Sequence, residues 1–185
     1  MTQPLTLGET QLPSGFWRID TAKSSVWFVA RHLMVSKVWG QFRRFAGTIV
    51  IADEPTESSV EAAIEMSSLT TGDSTRDAHL MSRDVFDTDR YPLMRFASSR
   101  LERRRPGAYM LSGDLTIRDV TRPVHLDLEA RTLDDDTSGE RAGFTAKGEI
   151  SRRDFGIVWN ALIESGGAVV GDRVRIEIDV EAVRT

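Results

Sequence analysis

An alternation of apolar and charged residues near the end of the chain constrains the fold more than any other feature. Apolar side chains occupy every second position from Val174 to Ala182, and the positions between them carry glutamate, aspartate or arginine. Successive side chains of a β-strand point to opposite faces of a sheet. The pattern therefore predicts a long strand, from Gly171 to Val183, with one dry face.

The same period of two recurs along the rest of the chain. Clear alternation predicts strands at 59–66, 109–117 and 124–129, and weaker patterns indicate strands at 25–32, 38–51, 93–101 and 142–152. Turn-forming residues lie between them at 53–57, 105–107 and 134–139. The exception is a short crossover helix carrying Arg76 to Arg83, with Ser74 or Thr75 as its N-cap. The stretch from Phe155 to Gly166 fits either a helical turn or an ordered loop.

About eight alternating strands with few helices favour an all-β sandwich or barrel over an α/β fold. Closure removes exposed strand edges, and strands of ten or more residues suit an elongated barrel. We therefore predict an all-β, eight-stranded antiparallel β-barrel as a single domain over 16–185, after an irregular lead-in over 1–15. Such a barrel is filled by side chains or holds one small ligand. The alternation alone does not distinguish these two interiors.

Composition argues against several classes of function. The net charge is -4, from 28 acidic and 24 basic residues, so the chain lacks the excess of positive charge that nucleic-acid binding normally requires. No stretch approaches the roughly 18 apolar residues of a membrane span, so the chain is not expected to span a membrane. Cysteine is absent and the three histidines lack ligand-like spacing, so no metal and no cofactor is expected. Residues 1–15 lack the features of a secretory signal, which predicts a cytoplasmic location unless a signal was removed from a periplasmic or secreted protein.

Short motifs follow one another in order from about residue 16 to residue 183. They are Trp17-x-Ile19-Asp20, Ser25-Val26-x-Phe28-x-x-x-His32, Gly40-x-Phe42, Phe45-x-Gly47, Ser68-Leu69-x-Thr71-Gly72, Arg76-Asp77-x-His79-Leu80, Phe86-Asp87, Tyr91-Pro92, Phe96, Gly113-x-Leu115-Thr116-Ile117, Val120-Thr121-x-Pro123-Val124 and Ile150-x-Arg152-x-Asp154-Phe155-Gly156. As an ordered series they resemble the YceI-like, polyisoprenoid-binding family. One departure is Asp119, where the family usually has glycine, so the backbone of that turn is expected to differ.

The resemblance implies a lipocalin-like extended barrel that holds an isoprenoid or a similar amphiphile, such as a polyprenyl, quinone or fatty chain. It also implies a homodimer. The expected role is that of a non-catalytic binding or carrier protein, for transport, storage or support of quinone metabolism. Buried methylenes supply about 0.8 kcal/mol each to the binding of such a chain, so the interior must be apolar.

The candidates for the ligand-binding lining are apolar residues at inward positions, together with Trp159, which is expected to close one end. For each of them the alternative is ordinary core packing. They are Phe28, Phe42, Phe45, Ile64, Phe86, Phe96, Leu115, Ile117, Leu126, Leu128, Phe155, Trp159, Ile176 and Ile178.

A polar mouth is expected from two groups, Arg76, Asp77 and His79 in one and Arg152 and Asp154 in the other. A cation there would meet a phosphate, hydroxyl or quinone oxygen of the ligand. The alternative is structural: Asp77 would fix the helix, and Arg152 and Asp154 would tie a loop by a salt bridge.

Two rival functions remain open at this point. A hydrolase would use His79 and Asp77 with a serine, although the chain has no Gly-x-Ser-x-Gly, His-Glu-x-x-His or phosphate-loop motif. A barrel with a filled core would instead be a stress-response or interaction module without a ligand. The run Arg103 to Arg105 fits a solvated hairpin tip, or a contact with anionic lipid.

Overall fold

Strands dominate the fold. The structure, a computed structural model, describes residues 6–7, 10–32, 35–133, 139–160 and 170–185. Short 3-10 turns link several strands in the described residues, which contain a single α-helix. The elements are β1 (Thr6–Leu7), β2 (Thr10–Gln11), β3 (Gly15–Ile19), β4 (Ser25–His32), β5 (Ser36–Phe42), β6 (Phe45–Ile51), β7 (Ser59–Glu65), β8 (Leu69–Thr70), α1 (Ser74–Met81), β9 (Leu93–Arg105), β10 (Ala108–Ile117), β11 (Val120–Thr132), β12 (Arg141–Ser151) and β13 (Val170–Arg184).

Eight of these strands close a ring. β13 pairs with β12 on one side and with β3 on the other, and the ring continues from β3 through β6, β7, β9, β10 and β11 back to β12. All of these pairings are antiparallel. The prediction of an eight-stranded antiparallel barrel with one short helix is therefore confirmed.

Three strands extend the sheet beyond the ring, and we call them the arm: β4, β5 and β8. β13 is 15 residues long, so its end pairs with β3 while residues 170–179 pair with β4. β5 pairs with β4 along its whole length, and with β8 only at Gln41 and Phe42. The rest of β5 is thus an edge strand among the described residues.

The strand predicted over 38–51 is two strands, separated by Arg43 and Arg44. Phe42 and Phe45 both face the interior although they are three residues apart. An unbroken strand would place them on opposite faces, so the backbone must leave the strand conformation between them. The break also directs β5 into the arm and β6 into the ring.

One helix cap differs from expectation, and one turn has an unusual backbone. Asp73, rather than Ser74 or Thr75, is the N-cap of α1, because its carboxylate accepts the backbone N–H of Arg76 at 3.0 Å. In the turn between β10 and β11, Arg118 takes the positive φ of 60°, whereas Asp119 does not. Asp119 therefore needs no glycine-like conformation.

Two clusters of buried residues occupy the two ends of the barrel. One surrounds Trp17 and Tyr109 and includes Leu12, which is 2% exposed although it lies in the expected irregular lead-in. β1 and β2 pair with each other in the same lead-in. The other cluster surrounds Phe42 and Phe155 and is covered by Leu80 and Met81 of α1. We call these the Trp17 end and the helix end.

Candidate ligand cavity

A cavity of about 310 Å³ lies inside the barrel between the two clusters. This volume falls within the usual range of small-molecule pockets, so the interior is not solid and the premise of the filled-core alternative is wrong. The wall is almost wholly apolar. It reaches from Ala130 and Phe144 on one side to Leu80 and Trp159 at the helix end.

Period-two alternation explains most of this wall. On β13, Val174, Ile176, Ile178 and Val180 face the cavity, while the charged residues between them face outward. The structure places all but one of the fourteen candidates on the wall. Contact with a ligand stays a prediction for each of them. The thirteen are Phe28, Phe42, Phe45, Ile64, Phe86, Phe96, Leu115, Ile117, Leu126, Leu128, Trp159, Ile176 and Ile178.

Phe155 is the exception. It is 1% exposed and packs in the cluster at the helix end, away from the cavity wall. It closes the 3-10 turn Arg152–Phe155, which Gly156 ends in the left-handed conformation with φ of 71°. Phe155 was predicted to begin a helical turn or an ordered loop and to line the cavity, but it ends a 3-10 turn that directs its phenyl ring into the packed core.

Two glycines let aromatic rings lie flat along the wall. Gly40 is the cross-strand partner of Phe28, and a Cβ at Gly40 would overlap the Phe28 ring. A Cβ at Gly113 would likewise meet the ring of Phe96. These glycines keep the two rings against the strands and leave the centre of the barrel open.

Sequence patterns missed three contributions to the wall from outside the long strands. Leu80 comes from α1, Val85 from the turn after it, and Ile157 from the loop after β12. Strand periodicity carries no information about such residues. The one sequence signal was the apolar Leu80 at the end of the Arg76-Asp77-x-His79-Leu80 motif.

Arg152 is the one charged residue among the described residues that line the cavity. Its guanidinium is buried and donates to four backbone carbonyls: those of Ile157 at 2.8 Å, Trp159 at 2.8 Å, Gly171 at 3.1 Å and Val170 at 3.3 Å. It also lies 3.2 Å from Asp172. Burial lowers the pKa of Arg152, and the Asp172 carboxylate opposes that shift.

These bonds give Arg152 a structural role. It joins the loop 157–160 to the start of β13, and its donors are occupied by protein oxygens. The expected salt bridge to Asp154 does not form, because Asp154 is exposed and the partner is Asp172. The expectation that this pair forms a polar mouth is not supported by the geometry.

Arg76 and Asp77 also bond within the protein. The Asp77 carboxylate accepts from the backbone N–H of Thr71 at 2.8 Å and from its hydroxyl at 2.5 Å. The Arg76 guanidinium donates to the Thr71 hydroxyl at 2.7 Å and to the Thr71 carbonyl at 3.1 Å. The two side chains thus fix α1 to the end of β8, and neither lines the cavity.

His79 differs from the other four mouth candidates. Its ring meets that of Trp159 edge to face, with 4.3 Å between the centroids. Its Nε2 atom is buried and has no hydrogen-bond partner among the described residues. Because Trp159 lies on the cavity wall, His79 places a ring nitrogen without a hydrogen-bond partner directly behind a residue of that wall. His79 itself is not part of the wall.

A serine and a histidine lie in contact on the β10–β11 hairpin, outside the cavity. The Ser112 hydroxyl lies 2.8 Å from Nδ1 of His125, but both are on the exposed face of the β10–β11 hairpin. In residues 6–7, 10–32, 35–133, 139–160 and 170–185, no three histidine or acidic residues form a group that could hold a metal. No helix in those residues is long and apolar enough to cross a membrane.

The fold and the cavity define a class: closed antiparallel β-barrels with an internal apolar cavity. The chain belongs to the YceI-like family, because the model of the YceI-like domain matches residues 17–182. It is 37% identical over 135 residues to Protein YceI of Escherichia coli O157:H7, covering 70% of this chain and 69% of that one.

Solved structures show the same barrel. BcnA of Burkholderia cenocepacia superposes with a TM-score of 0.79 at 22% identity, covering 89% of this chain and 99% of that one. A polyisoprenoid binding domain from Saccharophagus degradans superposes with a TM-score of 0.68 at 14% identity, covering 91% and 98%. At these identities the two neighbours establish the fold alone.

Proposed function

We propose that this protein binds one long apolar chain, an isoprenoid or a fatty chain, in the cavity of its barrel. The observation that carries the proposal is the wall itself, which is apolar on every strand of the ring. Family membership supports the ligand class, since a structural neighbour is a polyisoprenoid binding domain. Burial of about ten carbons would contribute about 8 kcal/mol before the costs of ordering the ligand.

We further propose that the protein holds its ligand without transforming it. Within the described part of the chain, the residues of the wall include no histidine and no carboxylate. Ser58 is one of the few polar residues there, and its hydroxyl already accepts the backbone N–H of Ala52 at 3.0 Å. Acid-base or nucleophilic catalysis needs a base within hydrogen-bond reach of the reacting atom. The hydrolase alternative therefore has no support from the cavity.

His79 is the group we propose for the polar head of the ligand. Its ring packs against Trp159 and its buried Nε2 has no partner, so we propose that movement of the indole ring lets a protonated Nε2 donate to a hydroxyl or carbonyl oxygen of the ligand. A polar group buried without a partner is costly, and a ligand oxygen would remove that cost. Quinone and polyprenyl head groups both carry such an oxygen.

Identification of the co-purifying molecule is the direct test. Native mass spectrometry of the protein from a bacterial host, followed by organic extraction, is expected to show an apolar molecule at one per chain. Repeated recovery of empty protein that takes up no fluorescent prenyl or fatty probe would refute the proposal.

Charged substitutions test which face is the binding face. Phe28→Arg and Ile117→Arg place a charge in the cavity and are expected to abolish uptake of the probe. Asp114→Arg is the matched control, because Asp114 is exposed on the same strand as Ile117 and should leave uptake unchanged. Circular dichroism verifies that each variant is folded. Homodimerisation stays a prediction, and analytical ultracentrifugation of the same samples tests it.

A further inference from the structure

One segment of the chain has a charge opposite to that of the whole protein. The chain has 28 acidic and 24 basic residues, yet the 32 residues from 21 to 52 contain five basic residues and no acidic one. The middle of this segment is the β4–β5 hairpin of the arm. The hairpin is therefore a cationic feature on an anionic protein.

The outer face of the hairpin carries these charges beside apolar side chains. Phe28 and Phe42 face the cavity, so Arg31, Lys37 and Trp39 lie on the opposite face of their strands. Arg31 and Lys37 are direct cross-strand partners, both are exposed, and neither has an ion-pair partner among the described residues.

Apolar residues at the hairpin are unusually exposed. Val35, in the turn, is 90% exposed, and Trp39 is 44% exposed. The Trp39 ring packs edge to face with that of Trp27, with 6.3 Å between the ring centroids. Large apolar side chains with this exposure are few in the described part of the chain. Phe16 is another, and it lies at the Trp17 end of the barrel.

Neighbouring contacts place the end of β4, at His32, near the helix end of the cavity. His32 pairs with Val170, and the Asn160 side chain donates to the Val170 carbonyl at 2.9 Å and accepts from its N–H at 3.0 Å. Asn160 follows Trp159 of the cavity wall and Val158, which is 65% exposed. The exposed apolar residues and the free cations thus surround the same end of the barrel.

We propose that the β4–β5 hairpin docks, through Arg31, Val35, Lys37 and Trp39, on the surface of an anionic lipid bilayer. Tryptophan favours the headgroup region, and lysine and arginine at the surface of an anionic membrane contribute through their attraction to lipid phosphates. Val35 and Trp39 enter the headgroup region, and Arg31 and Lys37 contact the phosphates. This inference goes beyond the proposed function, because it concerns the outer surface and requires no ligand in the cavity.

The other basic hairpin of the protein does not have these properties. In the β9–β10 hairpin, Arg104 lies 3.3 Å from Glu102 and Arg105 lies 3.1 Å from Glu129. Acidic neighbours therefore neutralise much of the Arg103 to Arg105 run. The β9–β10 hairpin therefore provides a control for the contribution of charge to membrane binding.

The absence of cysteine allows a site-specific test. Val35→Cys and the control Phe16→Cys are each labelled with an environment-sensitive fluorophore and mixed with vesicles of equimolar phosphatidylglycerol and phosphatidylcholine. The label at 35 is expected to shift to the blue and to be quenched by spin-labelled lipid, and the label at 16 is not. Pure phosphatidylcholine vesicles, or 0.5 M NaCl, should strongly reduce the response because screening shortens the range of surface charge.

Charge reversal provides the second measurement on the unlabelled protein. Lys37→Glu is expected to weaken co-sedimentation with the anionic vesicles by roughly thirtyfold, from a change of two charge units at the surface. Arg104→Glu is the matched control and should change it little. Both variants should bind a soluble fatty probe as the parent does, which separates failure of docking from failure of the cavity.

Three results would overturn the docking proposal. One is equal responses of the labels at 35 and 16, and another is equal losses for Lys37→Glu and Arg104→Glu. The third is a blue shift at 35 that depends on protein concentration without vesicles, which would assign the surface to a second copy of this chain.

Discussion

Arg152→Met tests whether the loop at the helix end depends on one buried cation. The substitution retains the length of the side chain and removes every donor. The Val170 carbonyl still accepts a hydrogen bond from the Asn160 side chain. Three other carbonyls, those of Ile157, Trp159 and Gly171, lose the hydrogen bond that Arg152 donates to them. At about 1 kcal/mol for each acceptor left without its donor, we expect a loss of about 3 kcal/mol in the free energy of unfolding.

Arg153→Met is the matched control. Arg153 is adjacent in sequence and lies 2.8 Å from the same Asp172 carboxylate, but its side chain is 58% exposed. An exposed ion pair contributes about 0 to 1 kcal/mol, so the control should lose at most that amount. The comparison therefore isolates the bonds to the carbonyls from the pairing with Asp172.

Urea denaturation measures both variants. A loss of about 3 kcal/mol corresponds to a decrease of about 6 to 12 °C in Tm for a domain of this size. The Arg152 variant should also bind a fatty probe more weakly, because Trp159 would no longer be held at the cavity wall. Equal stabilities of the two variants would refute the assigned role of Arg152.

Three further predictions concern the wall, the Trp17 end and one surface ion pair. Gly40→Ala should weaken probe binding several-fold, because the new Cβ displaces the Phe28 ring into the cavity. Gly171→Ala is the control: its Cβ would lie at ordinary van der Waals distances from its neighbours, so this variant should bind the probe as the parent does. Fluorescence titration measures both variants. Leu12→Ala should cost about 2 to 4 kcal/mol in urea denaturation, against less than about 0.5 kcal/mol for the exposed Phe16→Ala, and similar losses would contradict the buried position of Leu12. Hydrogen bonds from Arg44 and Ser67 lower the pKa of Glu65 to about 2, so the stabilisation from this pair is present above the pKa of the unfolded chain and is lost as the pH falls towards 2. Carboxyl NMR titration of Arg44→Gln should return the pKa of Glu65 towards 4.5, and an unchanged midpoint would show that Arg44 is not the cause.

Strand positions could be predicted from the sequence because each long strand has one face on the cavity and one in water. The inner residues of β13 and β11 follow directly from this alternation. The break at Arg43 and Arg44 could not be predicted in the same way. It depends on which strand each half joins, and that is a property of the sheet and not of the local sequence.

The bonding partners of Arg76, Asp77 and Arg152 could not be predicted, because residue type does not reveal which groups a side chain bonds. Arg76, Asp77 and Arg152 have the chemistry to bind an anionic or polar head group, but backbone groups of the protein occupy their bonding atoms. The volume of the cavity could not be predicted from the sequence either. It depends on how Phe28 and Phe96 lie over glycines in neighbouring strands, and alternation is the same for a hollow and a filled barrel.

The position of β13 in the sheet has a consequence for how the chain folds. β13 follows the other barrel strands in sequence, and it joins β12, β3 and β4, the last two of which lie about 150 residues earlier. Until residues 170–184 emerge from the ribosome, these three strands present open edges, and such edges favour aggregation. Contacts of this sequence separation also form slowly. During synthesis the nascent protein must therefore remain an unclosed sheet, with its future cavity wall in water, until its final strand arrives.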